Sequence, residues 1–262
     1  MLLQMGEQLV EAGYKKMHAN ELKGRHLHTL LQRWRADGLS PGTLRNRLSA
    51  LRWWAEKIGN SGLLAHNNAH YGIPKRQSAP RATKAKALPD AKLAHVRNAH
   101  VRMSLALQRA FGLRREESLK IKPHQADKGD RLVLQASWTK GGRPREIPIR
   151  TLEQREVLDR AKDLVKLKSA SLIPAHKNYA QQLRTYEHCT RMAGLDHLHG
   201  LRHAYAQERF LELAGFPCPL AGGPHREEMT PEQRESDYEA RLIISAELGH
   251  SREAITAAYL GR

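Results

Sequence analysis

Two arginines, a lysine, two histidines and a tyrosine in this chain together suit phosphoryl transfer on a DNA backbone: Arg114, Lys140, His199, Arg202, His250 and Tyr259. Cleaving a phosphodiester needs a nucleophile, positive charge against the non-bridging oxygens, and a proton for the departing 5′ oxygen. The planar fork of arginine binds two phosphate oxygens at once. A lysine at a hairpin tip reaches into a groove and delivers a proton. Histidine hydrogen-bonds a phosphate oxygen or handles the proton of the nucleophile. A phenol in water ionises only near a pH of about 10, so neighbouring cations must stabilise its anion.

Taken singly, each residue has an ordinary explanation. Arg114 reads as a surface arginine at a helix start, Lys140 as a solvated turn residue, and Tyr259 as a packing aromatic. The order of the motifs is more specific. Gly112-Leu113-Arg114 with Glu117 comes first, then Thr139-Lys140-Gly141-Gly142 followed by Arg145-Glu146-Ile147-Pro148-Ile149. His199-Gly200-Leu201-Arg202-His203 and Leu248-Gly249-His250 follow, and Tyr259 lies nine positions after His250. In this order the set resembles the tyrosine recombinases, the integrases of phages and other mobile elements. The resemblance covers most of residues 90–262, and His203 and Thr256 also match common family residues.

The resemblance implies a site-specific recombinase that cuts and rejoins double-stranded DNA through a 3′-phosphotyrosyl intermediate. Tyr259 would be the nucleophile. Arg114 and Arg202 would hold the phosphate, and Lys140 would protonate the 5′ oxygen. His199 would assist proton movement, His250 would hydrogen-bond a phosphate oxygen, and Glu117 would orient an arginine. Neither metal, ATP nor any cofactor is implied. The implied assembly is a homotetramer on two DNA sites, with accessory DNA-bending or directionality factors as further partners. A type IB-like topoisomerase shares this chemistry but relaxes supercoils by strand rotation. A non-catalytic DNA-binding regulator of the same fold is the other alternative, and the complete residue set argues against it.

The chain departs from the family pattern in two places. The stretch between Arg202 and His250 is long, with Leu213 to Asp237 as the extra piece. The sequence ends at Leu260-Gly261-Arg262, where many relatives continue into a helix that docks on a neighbouring protomer. The expectation is that this tail is absent or that assembly uses another contact.

Positioning such a set requires an organised scaffold. Ser40-Pro41 is a helix start, a serine cap with proline at the first helical position. The following helix, about 41–58, carries Leu44, Leu48, Leu51 and Ala55 on one face. Arg45, Ser49 and Arg52 fall on another, which faces either DNA or solvent. Met5 to Met17 and His26 to Arg35 are the other helical segments of this part. Residues 73–89 hold three prolines, five basic residues and no acid, and read as an extended linker. Lys75 and Arg76 in it are expected to lie along DNA, as is Arg143 in the hairpin. Further helices are expected at about 90–111, 114–121, 152–167, 179–193, 201–214, 236–248 and 252–259. Residues 131–149 are expected to switch to β: 131–135 is strand-like, and Gly141-Gly142 marks a tight hairpin turn between Trp138-Thr139-Lys140 and 145–149.

The expected fold is therefore mainly α with a small antiparallel β-sheet, in the two-lobed recombinase architecture. Residues 1–75 would be a helical core-binding domain, 76–89 a basic interdomain linker, and 90–262 the catalytic domain with an insertion at about 213–237.

Composition agrees with a polyanionic partner. The net charge is +17, from 44 Lys and Arg against 27 Asp and Glu. It divides almost evenly, with 15 basic and 6 acidic side chains in residues 1–90, or +9. Both parts would then touch DNA, as in a clamp. No apolar run is long enough to span a membrane, and the first residues lack the pattern of a signal peptide. Cys189 and Cys218 are too few for a disulfide framework. With His199 and His203 they could be imagined to bind zinc, but their spacing is loose and no Cys-x-x-Cys pair exists, so no metal site is expected. The expected location is the cytoplasm, associated with the nucleoid.

Overall fold

The computed structural model describes residues 1–75, 80 and 82–262. It divides into two compact units, Met1–Gln77 and Ser78–Arg262.

The first unit is built on α1 (Leu2–Glu11), α2 (Gly24–Ala36) and α3 (Pro41–Lys57). The side chain of Ser40 accepts from the Thr43 amide and starts α3 beside Pro41. Leu44, Leu48, Leu51 and Ala55 are all buried, as their spacing requires, against Met5, Leu9, Leu30 and Trp34. Each such leucine contributes roughly 1.5–3 kcal/mol by leaving water. The buried Trp34 indole donates to Gln8 Oε1 at 2.9 Å, so its polar atom is not stranded. The apolar stripe expected from Met5 to Met17 is helical only as far as Glu11. Gly13, at φ +98°, takes the chain out of the helix.

The second unit contains α4 (Asp90–Ala94), α5 (Ala99–Phe111), α6 (Arg115–Lys120) and α7 (Pro123–Ala126). A two-stranded sheet follows, β1 (Arg131–Leu134) and β2 (Arg145–Pro148). Then come α8 (Leu152–Leu164), α9 (Tyr179–Met192), α10 (Gly200–Ala214), α11 (Pro231–Glu247) and α12 (Ala257–Leu260). The central helix α5 packs against α6, α8 and α10, and α10 in turn carries α11 and α12. Phe111, Leu132, Leu134, Ile147, Leu158, Phe210, Ile244 and Leu260 lie in the core they share. No helix is long and apolar enough to cross a membrane, among the described residues.

Three sequence expectations shift. The single helix expected at 90–111 is two, because Asn98 caps a fresh start through its bond from the Val101 amide. The strands pair antiparallel from Arg131 opposite Pro148 to Leu134 opposite Arg145. Trp138-Thr139-Lys140 is therefore not a strand: it lies in a loop of two short 3-10 turns, Ala136–Trp138 and Lys140–Gly142. Gly141 and Gly142 both have positive φ there, which only glycine adopts cheaply. Finally, α11 starts at Pro231, not near Ser236. Thr230 accepts from the Gln233 amide and Gln233 reaches back to the Thr230 amide, a reciprocal cap. The last residues of the expected insertion are thus the first turns of α11, and Cys218 and Met229 from the rest of it are buried.

Candidate active site

Arg114 sits where α5 ends and α6 begins. Gly112 closes α5 at φ +59°, and the chain turns so that Arg114 becomes the residue before the first turn of α6. Its amide donates to Glu117 Oε2 at 2.7 Å and its Nη1 to Glu117 Oε1 at 2.7 Å. Arg145, from the first position of β2, takes the same carboxylate with both terminal nitrogens, at 2.8 and 2.7 Å. Glu117 is fully buried, so it joins two arginines away from water. Burial pushes its carboxyl up, but the hydrogen bonds and charges of Arg145 and Arg114 outweigh this and bring it to about 2.

Arg202 comes from the first turn of α10 and is 1% exposed. Its Nη1 donates to the Gly112 carbonyl at 2.6 Å, and its Nη2 to the Leu248 carbonyl. Its Nε points at the hydroxyl of Tyr259, 3.4 Å away. Arg114 Nη2 donates to the Leu248 carbonyl as well, at 3.3 Å. Burial lowers Arg202 to about 10, with Arg114 and Arg145 adding to the fall and Tyr259 opposing it.

Tyr259 rides on α12 and is 7% exposed. Its ring lies 4.6 Å from the ring of His203 and 5.4 Å, stacked, from that of His250. His199 is at 6.2 Å. All three imidazoles lose proton affinity, chiefly by burial and then through neighbouring positive charge. His203 falls to about 4 and His250 to about 3. At neutral pH they are uncharged, so each retains a nitrogen able to accept a proton. The Nδ1 atoms of His203 and His250 are buried without a partner among the described residues. A buried phenol, two guanidiniums and three neutral imidazoles form a pocket suited to an anionic group undergoing substitution.

A family model for integrases matches residues 75–208, just over half of the chain, and a second, for the phage integrase N-terminal region, matches residues 1–63. The chain belongs to the integrase family of tyrosine recombinases. Its fold is similar to that of a lambda integrase dimer bound to a COC′ core site, with a TM-score of 0.58 at 14% identity, over 98% of this chain and 70% of that one. The lambda integrase fragment 75–356, also a dimer on a COC′ core site, gives 0.58 at 15%, over 100% and 88%. XerH recombinase on its difH substrate gives 0.52 at 16%, over 92% and 67%. At such identities the likeness is one of fold. Nothing matches among curated proteins.

Of the residues singled out from the sequence, Arg114, Glu117, His199, Arg202, His250 and Tyr259 come together in this integrase pocket. Lys140 stands apart in character: it is exposed on the loop between β1 and β2, with no hydrogen-bond partner among the described residues. Arg143 is exposed on the same loop, and Ser49 and Lys75 are exposed in the first unit. Arg45 donates to the Pro74 carbonyl at 2.7 Å. Arg52 is more fully committed, with Nε and Nη2 on the Ala65 carbonyl and Nη2 also on Asn68 Oδ1. Arg76 lies outside the described residues.

Two further contributors, Arg145 and His203, stand in the sequence only as neighbours of the motifs. The signal for Arg145 is strand alternation. It shares a face with the buried Ile147, so its guanidinium must enter the core. The signal for His203 is its place on the buried side of α10 beside Arg202, one turn beyond His199.

Proposed function

We propose that this integrase cuts and rejoins DNA site-specifically through a covalent bond between Tyr259 and a 3′ phosphate. The phenolic oxygen attacks phosphorus and the bond to the 5′ oxygen breaks. The 5′ hydroxyl of a partner strand later attacks the phosphotyrosine, restoring both a phosphodiester and the free phenol. The energy of the original bond is kept in the adduct, so no nucleotide is consumed. Arg114 and Arg202 bind the phosphate and stabilise the charge of the pentacoordinate transition state, a task that needs no metal. Neutral His199 accepts the proton of the phenol, and His250 donates to a phosphate oxygen. Lys140, free at its loop tip, protonates the leaving 5′ oxygen. Glu117 orients Arg114. Four protomers on two DNA sites perform the full exchange.

The observation that carries this reading is the approach of Arg202 Nε to the Tyr259 hydroxyl, 3.4 Å, inside a pocket where Arg114 shares an acceptor with Arg202. Adduct formation tests it. A duplex enriched from a random pool for binding, nicked near each candidate cleavage position so that the freed strand is lost, should leave a detergent-resistant protein–DNA adduct. The adduct should form in excess chelator and without ATP. Tyr259→Phe should bind the duplex as tightly and form none. Adduct formation by Tyr259→Phe, or a modified peptide lacking Tyr259, rejects the assignment.

A further inference from the structure

Tyr259 stands on a single α-turn, Ala257–Leu260, that continues directly from a 3-10 turn, Glu253–Thr256. So short a helical stretch does not hold itself together in water, so the phenol is only as well placed as the contacts around it. Beside the burial of Ala257, Tyr259 and Leu260, three side chains hold the backbone on and after the tyrosine. Gln207, on α10 below Arg202 and His203, donates to the Tyr259 carbonyl at 2.9 Å. Arg241, on α11, donates from Nη1 to the Gly261 carbonyl at 2.9 Å. His225 Nδ1 lies 2.6 Å from the Arg262 carbonyl.

Arg241 is the unusual member. It is 5% exposed, and its Nε donates to both oxygens of the buried Asp237 at 2.8 Å. Its guanidinium also lies 5.7 Å from the Phe210 ring centre. Burying an arginine and an aspartate is costly, and a pair that served packing alone could be replaced by apolar side chains of similar volume. Here the pair aims one terminal nitrogen of the guanidinium at a carbonyl. Gly261 completes the fit: at φ +83° it lies so close to the 219–221 turn that a Cβ would approach Pro219 Cβ and Leu220 Cγ to 3.1 Å. The stretch expected as an extra piece therefore supplies both the turn that Gly261 rests on and Asp237, the partner of Arg241.

We propose that Arg241 is a positioning residue for Tyr259, acting through the Gly261 carbonyl and itself held by Asp237. The proposal rests on Tyr259 being the nucleophile. Arg241 touches neither the phenol nor the pocket, and sets where the one-turn helix sits between His203 and His250. A displacement of about an ångström at a nucleophile costs on the order of 100-fold in rate, so the effect belongs in the chemical step and not in DNA binding.

The test uses the full chain with Asp237→Asn and Arg241→Gln combined, so that no buried charge is left alone. Amide exchange at 257–261 should become at least about ten-fold faster while α5 and α10 keep their protection. Adduct formation on the nicked duplex should slow by at least about ten-fold under single-turnover conditions, with Kd for DNA within about two-fold. Unchanged exchange at 257–261, or unchanged adduct formation at saturating DNA, overturns the proposal. A uniform loss of protection across the second unit overturns it too, because the pair would then serve general stability. If the unaltered chain forms no adduct, the nucleophile assignment fails, and the exchange measurement still decides whether Arg241 anchors the segment.

Discussion

Arg114 and Arg202 donate to the same backbone oxygen, the carbonyl of Leu248. Two guanidiniums brought this close would repel if nothing intervened. Glu117 neutralises part of the charge on the Arg114 side, and the carbonyls of Gly112 and Leu248 take the donors of Arg202. Leu248 is followed at once by Gly249 and His250. The shared carbonyl thus ties the spacing of the two cations to the position of the imidazole stacked on Tyr259.

Arg202→Lys should fail despite keeping the charge. An ammonium lacks the planar fork that reaches Gly112, Leu248 and the Tyr259 hydroxyl together. At least one buried acceptor then loses its donor, at a cost of about 1–3 kcal/mol. Losing a directed donor to the transition state should slow adduct formation by about 100- to 1,000-fold. Urea unfolding and single-turnover adduct kinetics measure the two effects. Wild-type kinetics in this variant would show that the geometry of the guanidinium is irrelevant.

Arg145 should matter more for stability than any exposed arginine. Arg145→Met leaves Glu117 buried with one of its two cations removed, and breaking a buried pair costs about 3–5 kcal/mol. The Glu117→Gln, Arg145→Met double variant should recover part of that loss, since position 117 then carries no buried charge, while Arg114 gives up its carboxylate partner. Urea midpoints of the two single variants and the double variant give the coupling directly. Strict additivity would mean that the bidentate contact contributes nothing.

Acid should weaken the DNA-free protein before its carboxylates titrate. His203 and His250 have folded values of about 4 and about 3, below the ordinary value of 6.5. The unfolded chain therefore binds protons that the folded chain refuses. This contribution is fully present above pH 6.5. It declines as pH falls below 6.5 and stops declining near pH 4 for His203 and near 3 for His250. By pH 5 each histidine should have removed about 2 kcal/mol. His203→Gln should flatten the dependence of the urea midpoint between pH 7 and 5. A slope equal to that of the unaltered chain would show that His203 does not contribute.

The local signals in the sequence carried most of the helices and little of their company. Ser40-Pro41 and the spacing of Leu44, Leu48, Leu51 and Ala55 define α3 because capping and periodicity are properties of neighbours in sequence. Thr230-Pro231 with Gln233 carried the same kind of signal for α11, but the density of proline upstream hid it. The convergence of Arg114, Arg202 and Tyr259 was legible only as an ordered set of motifs, since nothing local to Tyr259 distinguishes a nucleophile from a packing aromatic. The carbonyl partners of Arg145, Arg52 and Arg241 were not legible at all. Each guanidinium finds a carbonyl from a segment that only the tertiary fold brings near.

Those partners separate the candidate DNA contacts by salt dependence. Arg143 is exposed on the loop that bears Lys140, with no hydrogen-bond partner among the described residues. If it meets a phosphate, Arg143→Ala should reduce the slope of log K against log salt by about 0.9, one released counterion. Arg52 is half-buried and holds Ala65 and Asn68, so its charge already serves the first unit. Arg52→Ala should lower stability by about 1–3 kcal/mol, the cost of unmet buried acceptors. Its salt slope should stay unchanged at temperatures where the variant remains folded. Binding titrations from 50 to 200 mM salt, alongside urea unfolding, resolve the two behaviours. A slope that falls for Arg52→Ala without loss of stability would reverse the assignment, placing Arg52 on the phosphates and making its contacts to Ala65 and Asn68 dispensable.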